Sequence, residues 1–207
     1  VGGNPSTPDS NWSYMAPFSP SDVIEEYTRP ARIIQNREIV TVPALSERHL
    51  INVEYHGEME AFLTDGLRSI LTSITAEEMK EYTVRWPGHI DKWLIEGINM
   101  DEIELLEQWK FDNSKKEFTW LEVVASNSKS EIRWMVYDCG KDGSSSMART
   151  TGLVTAACTL LFLENGPLKG CGLENGIHPP EKLSNNSIDY IVKYLRNNGV
   201  EIRKTRL

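Results

Sequence analysis

The sequence predicts an α/β (α+β) domain in which helices cover one face of a mixed, largely antiparallel β-sheet. The strongest strand patterns lie in residues 118–125 and 132–138, and the polar loop between them indicates an antiparallel hairpin. Segments with the apolar spacing of helices precede and follow this hairpin. The chain of 207 residues is 40% hydrophobic, which is enough for one sizeable core, so we expect a single domain over residues 1–207.

The amino-terminal part combines a loop, a short helix and several strands. Residues 2–20 are rich in Pro, Ser, Asn and Gly with interspersed aromatic residues, which predicts an ordered loop able to wall a pocket. Ser19 or Ser21 can then cap a short helix that ends at Pro30. Three β-rich segments follow, with a turn at 36–37 between the first two, and they span residues 31–35, 38–42 and 50–55.

The central stretch, residues 60–89, contains most of the unusual polar residues. Asp65 can cap a helix over residues 66–74, where apolar side chains recur at helical spacing. Residues 81–86 alternate between apolar and polar side chains, as a strand does, before Pro87-Gly88 ends the pattern. An amphipathic helix, a half-buried strand and an ordinary turn without further function are the alternative interpretation.

The polar side chains of this strand are candidates for substrate binding. Thr83 and Arg85 share its polar face and His89 follows the turn, so we expect the three to lie close together and truncation of Arg85 to open no core cavity. A guanidinium binds a carboxylate in bidentate fashion, which makes Arg85 and Arg68 candidates for an amino-acid substrate, with a structural salt bridge as the alternative. His89 could transfer a proton or could merely cap the next helix.

The remaining elements are four helices and a final strand, at residues 90–98, 100–110, 146–163, 187–197 and 200–204. The helix at 146–163 is the most apolar, so we expect it to be buried on more than one side and to stop at Gly166-Pro167. Arg149 and Thr150 lie near its amino end, where free N–H groups attract a cofactor phosphate or a substrate carboxylate. A plain capping motif is the alternative there.

Composition excludes several classes of partner. The net charge of −8, without a basic cluster, argues against nucleic acid and against an anionic membrane surface. No apolar run approaches the roughly 20 residues that span a bilayer and no signal pattern occurs, so we expect a soluble cytoplasmic protein. The three cysteines lack a C-x-x-C pair and are expected to be reduced core thiols. The histidines show no ligand spacing, and we assign no metal.

A dinucleotide cofactor needs a glycine-rich turn between a strand and a helix. The glycine cluster at residues 166–172 has the wrong spacing and follows a helix, so we interpret it as a loop. We therefore expect this chain alone neither to bind a dinucleotide tightly nor to oxidise lysine with NAD or NADP.

Four motifs in order carry a resemblance to a known family. They are GGNP with YMAPFSPSDVIEEY, then EAFLTDGLR with YTVRWPGH, then SMARTTG, and finally HPPEKL. Together they resemble the carboxy-terminal domain of saccharopine dehydrogenase-like enzymes over nearly the whole chain. Thr64-Asp65-Gly66 is more similar to the lysine 6-dehydrogenases than to saccharopine reductases, which tend to carry Asn-Arg-Asp at this place.

The resemblance implies a substrate-binding and dimerising domain with a fold like the carboxy-terminal domain of glyceraldehyde-3-phosphate dehydrogenase. The intact enzyme would use NAD or NADP to oxidise a CH–NH or CH–NH2 bond of lysine, saccharopine or a related amino acid. Its dinucleotide-binding domain would precede Val1, so we interpret the chain as an excised carboxy-terminal domain. The expected site residues are His89 for catalysis, Phe18, Thr64, Asp65, Arg68, Thr83 and Arg85 for substrate, and Gly2, Gly3, Arg149 and Thr150 for cofactor.

A rival interpretation is a non-catalytic interaction domain that forms a homodimer and has no substrate. Apolar or aromatic residues occur on both faces of the hairpin formed by residues 118–125 and 132–138. A single helix layer can cover only one of these faces. We therefore expect a homodimer built through this hairpin under either interpretation.

Overall fold

The computed structural model describes residues 1–169, 173 and 176–207, and for 164–169 it describes the backbone alone. The described part of the chain forms nine strands and six α-helices. The strands are β1 (Gly2–Pro5), β2 (Ala31–Gln35), β3 (Glu38–Val42), β4 (His49–Val53), β5 (Gly57–Leu63), β6 (Tyr82–Arg85), β7 (Glu117–Asn127), β8 (Ser130–Cys139) and β9 (Glu201–Arg206). The helices are α1 (Pro20–Thr28), α2 (Ile70–Ser73), α3 (His89–Ile95), α4 (Glu102–Gln108), α5 (Ser146–Lys169) and α6 (Asn185–Asn197).

The strands form three antiparallel sheets. One has the order β1-β7-β8-β9, one is the hairpin β2-β3, and one has the order β4-β5-β6. Every pairing among these strands is antiparallel. The α/β class with antiparallel strands is therefore confirmed, whereas a single mixed sheet is wrong, because the strands pair as hairpins and meanders that need no parallel crossover.

The four-stranded sheet lies between two layers. On one face Trp134, Val136 and Ile202 pack against α5 and α6. On the other face Phe118 and Trp120 pack against the β4-β5-β6 sheet. Helices thus cover one face of this sheet, as the sequence predicts, but part of its second face is covered within the same chain. Only the end of the hairpin beyond Trp120 is left with exposed apolar residues.

Strand β1 connects this sheet to β6, and the sequence analysis assigned it to a loop. It pairs with β7, while Val84 N–H donates to the Val1 carbonyl at 2.8 Å and Asn4 Nδ2 donates to the Val84 carbonyl at 3.1 Å. A Cβ atom on Gly2 would lie 2.6 Å from the Val84 oxygen, so only glycine permits this approach. β5 was likewise not predicted.

The helix predicted at 66–74 shortens to α2, which begins after Ser69. Asp65 does not cap it, so that prediction is wrong. The Asp65 carboxylate instead accepts hydrogen bonds from the Arg32 guanidinium at 2.9 and 2.8 Å. A charged acceptor gains more from a bidentate guanidinium than from a single backbone N–H, which explains the preference.

Helix α5 differs from expectation in length and in burial. It continues to Lys169, through the predicted stop at Gly166-Pro167, because an interior proline weakens a helix without forbidding it. Ala157 and Leu161 are buried, but much of its apolar surface is exposed, so burial on more than one side is wrong. The reason is that α5 packs on one side, against α6 and the central strands β7 and β8 of the sheet.

Within the described residues, Ser146–Leu163 is long and apolar enough to cross a membrane by length and composition alone, with a mean hydropathy of 1.3 over 18 residues. The statement that no apolar run approaches that length is therefore corrected. Arg149 within the segment pairs with Asp138 of β8, which ties it to the sheet. Cys139 and Cys158 are exposed, so they are not core thiols, and Cys171 lies outside the described residues.

Candidate functional site

A small cavity of about 90 Å³ lies where five segments converge: β1, the loop before α1, α1 itself, β6 and the start of α5. Its walls include five of the residues expected to bind substrate or cofactor. The lining residues are Val1, Gly2, Gly3, Tyr14, Pro17, Phe18, Glu26, Thr83, Arg85 and Met147. A larger groove of about 640 Å³ beside residues 139–145 contains no residue expected at the site.

Arg85 is the charged centre of the cavity and is only 3% exposed. Its Nε donates to the Tyr27 hydroxyl at 2.7 Å, Nη1 donates to the Val84 carbonyl at 3.0 Å, and Nη2 lies 3.5 Å from Glu26 Oε2. The guanidinium also lies over the Tyr14 ring, 4.6 Å from its centroid. Because a guanidinium has five N–H groups, two are left without a partner among the described residues.

The burial of Arg85 corrects the expectation that it lies on an open polar face. α1 covers that face of β6, and truncation of Arg85 would remove the partner of Tyr27 and Glu26. Although burial lowers the pKa of Arg85, the neighbouring Tyr27, Tyr14 and Glu26 together raise it above its ordinary value. The guanidinium therefore stays charged inside the domain.

Tyr14 adds a second group that is available to a ligand. The residue is 4% exposed, and its hydroxyl forms no hydrogen bond with any described residue. Burial raises the pKa of Tyr14 to about 12, so the hydroxyl keeps its proton and can donate it. A buried hydroxyl without a partner is costly, and a polar ligand in the cavity would satisfy it.

His89 lies behind Arg85 and not at the cavity wall. It is 2% exposed; its Nδ1 is 2.9 Å from the Trp12 carbonyl and its Nε2 is 3.0 Å from the Tyr27 hydroxyl. A carbonyl only accepts, so Nδ1 carries the hydrogen, Nε2 accepts from Tyr27, and the Tyr27 oxygen is free to accept from Arg85. Burial and the nearby Arg85 lower the pKa of His89 to about 3.

This environment does not support proton transfer by His89 to a substrate. Both ring nitrogens are already engaged, and the ring is neutral and shielded from solvent. The residue instead orients Tyr27, and Tyr27 orients Arg85. Thr83, Arg85 and His89 do lie in one neighbourhood, as expected.

A chain of hydroxyl and carboxyl groups leads away from the cavity. Thr83 Oγ1 donates to Glu26 Oε1 at 2.6 Å and lies 2.8 Å from Thr64 Oγ1, which is itself hydrogen bonded to Glu81. Thr64 is thus one residue removed from the cavity wall. Burial raises the pKa of Glu81, although the hydrogen bond from Thr64 opposes that shift.

Asp65 and Arg68 are not brought to the cavity. Asp65 is buried in a cluster with Arg32, Arg29 and Arg68, at 2.8, 3.6 and 3.6 Å respectively. The side chain of Arg68 is 57% exposed. Pairing with Arg32 lowers the pKa of Asp65. The cluster joins the β2-β3 hairpin to the segment before α2, which accounts for these residues without a ligand.

The residues expected to hold a cofactor do not form a dinucleotide cradle. Gly2 and Gly3 are in a strand, and a Cβ on either would meet Val84 or Met147 at less than 3 Å. The Arg149 guanidinium donates to the Asp138 carboxylate, and its Nη2 donates to the Asn198 carbonyl at 2.8 Å. The Thr150 hydroxyl donates to the Ser146 carbonyl. The described residues therefore do not fit a nicotinamide cofactor by themselves, and no chemical step is derived through one.

Sequence reasoning missed Glu26, Tyr14 and Tyr27 as members of the site. Val23, Glu26 and Tyr27 occupy positions i, i+3 and i+4 of α1, so they share one helix face. Two of them are buried and apolar or aromatic, and a carboxylate on such a face signals a buried polar contact. That signal was present in the sequence, but the sequence analysis did not use it.

The fold and the site define an α/β domain of antiparallel sheets and flanking helices, with a buried guanidinium at the wall of a small cavity. The model of the saccharopine dehydrogenase C-terminal domain family matches residues 1–200. The chain belongs to this family.

A similar solved structure is apo histidine-tagged saccharopine dehydrogenase (L-Glu forming) from Saccharomyces cerevisiae, with a TM-score of 0.73 and 15% sequence identity. The match covers 100% of this chain and 65% of that one, so the chain spans less than two thirds of the length of that protein. At this identity the likeness concerns the fold. A specific likeness to glyceraldehyde-3-phosphate dehydrogenase stays a prediction.

Proposed function

We propose that the cavity binds the carboxylate of a small amino-acid substrate, with Arg85 as its receptor. The observation that carries this proposal is a buried guanidinium with two unpartnered N–H groups at the wall of a cavity. Tyr14 offers a further donor, and Phe18 and Met147 supply apolar walls. Buried, pre-positioned donors bind a carboxylate strongly because they need little reorganisation.

In this proposal the chain is the substrate-binding domain of an NAD- or NADP-dependent oxidoreductase that acts on a CH–NH or CH–NH2 bond of lysine, saccharopine or a related amino acid. Membership of the saccharopine dehydrogenase C-terminal domain family supports amino-acid oxidoreduction. The cofactor would supply the hydride chemistry and would be held mainly by another domain. Residues 1–207 alone are accordingly expected not to oxidise lysine.

The experiment compares Arg85→Lys with Arg68→Lys, which makes the same chemical change at an exposed arginine outside the cavity. Lysine and saccharopine are titrated into each protein by calorimetry, and thermal melting is recorded in parallel. Loss of the bidentate fork at Arg85 is expected to weaken binding tenfold to about a hundredfold, equivalent to roughly 1.5–3 kcal/mol. Arg68→Lys is expected to bind as the wild type does.

Arg85→Ala is a less informative variant than Arg85→Lys, because Arg85 is buried and does not lie on an open face of its strand. Removing one partner of a buried charged pair costs on the order of 3–5 kcal/mol of stability, so this variant is expected to melt early. A well-folded Arg85→Lys variant that binds both ligands like the wild type would show that Arg85 is structural. Equal losses in the Arg68 variant would place the carboxylate site elsewhere.

A further inference from the structure

Cys139, Tyr137 and His56 form a hydrogen-bonded cluster at the groove of about 640 Å³, which shares no lining residue with the Arg85 cavity. Tyr137 and Cys139 are two residues apart on β8, so their side chains lie on the same face of the strand. The Cys139 thiol donates to the Tyr137 hydroxyl at 3.2 Å, and that hydroxyl lies 3.1 Å from His56 Nε2. Cys139 is exposed and lines the groove, so solutes in the groove can reach its side chain.

The hydrogen atoms of this cluster all point from the thiol towards His56. Ser6 N–H donates to the Lys116 carbonyl, so the hydrogen bond between His56 and the Ser6 backbone uses the Ser6 carbonyl, which can only accept. Burial lowers the pKa of His56, so its ring is neutral at pH 7 and carries one hydrogen. That hydrogen is on Nδ1 and faces Ser6. His56 Nε2 therefore accepts from Tyr137, and the Tyr137 oxygen accepts from Cys139.

The charges around the thiol favour an anion. The charged residues that line the groove are Lys115, Lys116, Lys141, Glu117 and Asp142. The Glu117 carboxylate accepts from the backbone N–H and the hydroxyl of Ser146, and Lys115 pairs with Asp9 at 3.0 Å. Lys116 and Lys141 form no ion pair with any residue that the structure describes. Two cations thus face the groove, against the single carboxylate of Asp142.

We propose that Cys139 is a modification site, at which an anionic low-molecular-weight disulfide such as oxidised glutathione forms a mixed disulfide. The thiolate is the reactive form of a cysteine, and nearby positive charge favours it. Lys116 and Lys141 supply that charge and also attract an anionic reagent. The groove has room for the group that becomes attached, and the modified sulfur lies apart from the Arg85 cavity.

The reaction is an exchange in which the disulfide is the oxidant. The ionised sulfur of Cys139 attacks one sulfur of the disulfide, a bond forms between these two atoms, and the bond between the two disulfide sulfurs breaks. The second sulfur leaves with the electron pair of that bond. The Cys139 proton passes to Tyr137 while the Tyr137 proton passes to His56, so the Tyr137 hydroxyl then donates to the ionised sulfur. The released thiolate takes up one proton, and no further reactant is consumed.

The test compares two forms of the chain that each keep one cysteine. Cys158→Ser with Cys171→Ser keeps Cys139, whereas Cys139→Ser with Cys171→Ser keeps Cys158. Cys158 is also exposed, but it is on α5 and is not among the residues that line the groove. The rate of adduct formation with oxidised glutathione at neutral pH is measured by mass spectrometry, and it is measured again with cystamine, a cationic disulfide.

Two tyrosine variants of the form that keeps Cys139 examine the hydroxyl group. Tyr137→Phe removes the hydroxyl that contacts the sulfur. Tyr55→Phe is the matched control, because its ring lies 5.0 Å from the Tyr137 ring but its hydroxyl donates to Glu201. Thermal melting confirms that each protein is folded.

With oxidised glutathione, Cys139 is expected to react about tenfold faster than Cys158, and with cystamine this ratio is expected to fall. Tyr137→Phe is expected to slow Cys139 about fivefold or more, and Tyr55→Phe to leave its rate unchanged. Equal rates at Cys139 and Cys158 would overturn the modification site, and this comparison keeps Tyr137 in both proteins. Equal effects of the two tyrosine variants would overturn the role of Tyr137. The same rate ratio with both disulfides would overturn the role of the lysines.

Discussion

His89 is held neutral by its position inside the aromatic cluster. Its ring contacts Trp12, Tyr14, Tyr27 and Trp109, and besides burial the positive charges of Arg85 and Lys92 lower its pKa. Protonation would put a second positive charge beside the guanidinium and would destroy the acceptor that Tyr27 needs. The chain Arg85–Tyr27–His89 therefore works only while the imidazole is neutral.

The neutral state of His89 in the fold is expected to make the free energy of unfolding depend on pH. The pKa of His89 is about 3 in the folded chain and 6.5 in an ordinary setting, so between these values the unfolded state binds a proton that the folded state does not. The contribution of His89 to stability then rises with pH, and it falls by at most about 1.4 kcal/mol per pH unit on acidification below pH 6.5. Urea unfolding from pH 7.5 to 4.5 measures this slope.

His89→Gln is expected to be less stable than the wild type at pH 7.5 but to show a flatter slope below pH 6.5. Burial also lowers the pKa of His56, so the informative quantity is the difference in slope between the two proteins. His49→Gln makes the same substitution at an exposed histidine and is measured beside it. An unchanged slope in His89→Gln would mean that the fold does not lower the pKa of His89.

Arg85 illustrates how far a residue pattern can predict a site. The alternation of residues 81–86 correctly places Thr83 and Arg85 on one face of β6, because successive side chains of a strand point in opposite directions. Alternation says nothing about what covers each face. The face with Arg85 is covered by α1, which lies more than 50 residues earlier in the chain. A local residue pattern cannot predict a contact between residues so far apart in the sequence.

At the scale of elements, the predictions succeed where strands are long or turns have strong residue preferences. β7 and β8 match the predicted hairpin, and β2 and β3 meet at the predicted turn. β1 was missed because Gly-Gly weakens a strand signal, and what holds it in place is its pairing with β7 and its contacts with β6. α2 is shorter than the predicted helix because Asp65 binds the Arg32 guanidinium and does not cap a helix. Local residue spacing could not predict that distant partner.

The turn between β2 and β3 offers a test of element stability. Asn36 and Arg37 have φ values of 51° and 69°, which is the left-handed region that a two-residue hairpin turn requires. Asparagine tolerates it, but arginine is strained there. Arg37→Gly is expected to raise the free energy of unfolding by about 0.5–1 kcal/mol, and urea unfolding measures it.

Asn36→Gly is the matched control at the neighbouring turn position and is expected to change stability by only a few tenths of a kcal/mol. Arg37 N–H donates to the Glu77 carbonyl, and glycine keeps that donor, so no hydrogen bond is lost. A destabilised Arg37→Gly variant would show that the arginine side chain makes a stabilising contact.

At the scale of the whole molecule, the chain leaves an apolar surface at the end of its longest hairpin. A groove of about 620 Å³ lies between the β4-β5-β6 sheet and β7, and its walls include Leu67, Tyr82, Trp120 and Val124. Val124 is 46% exposed. The residue pattern predicted apolar residues on both faces of the hairpin, but it could not show that β4-β5-β6 covers one of them near Phe118.

We expect a second copy of the chain to cover this groove, because monomers rarely expose large apolar patches and two-fold pairing is the commonest remedy. Sedimentation velocity at micromolar concentration is then expected to show a species of twice 23.5 kDa. Val124→Glu would place a charge in the interface and is expected to raise the dissociation constant about a hundredfold or more. Val154→Glu, at an exposed valine of α5 outside this groove, should leave the dimer intact. A wild-type chain that sediments as a monomer, or two variants that behave alike, would contradict an interface at this hairpin.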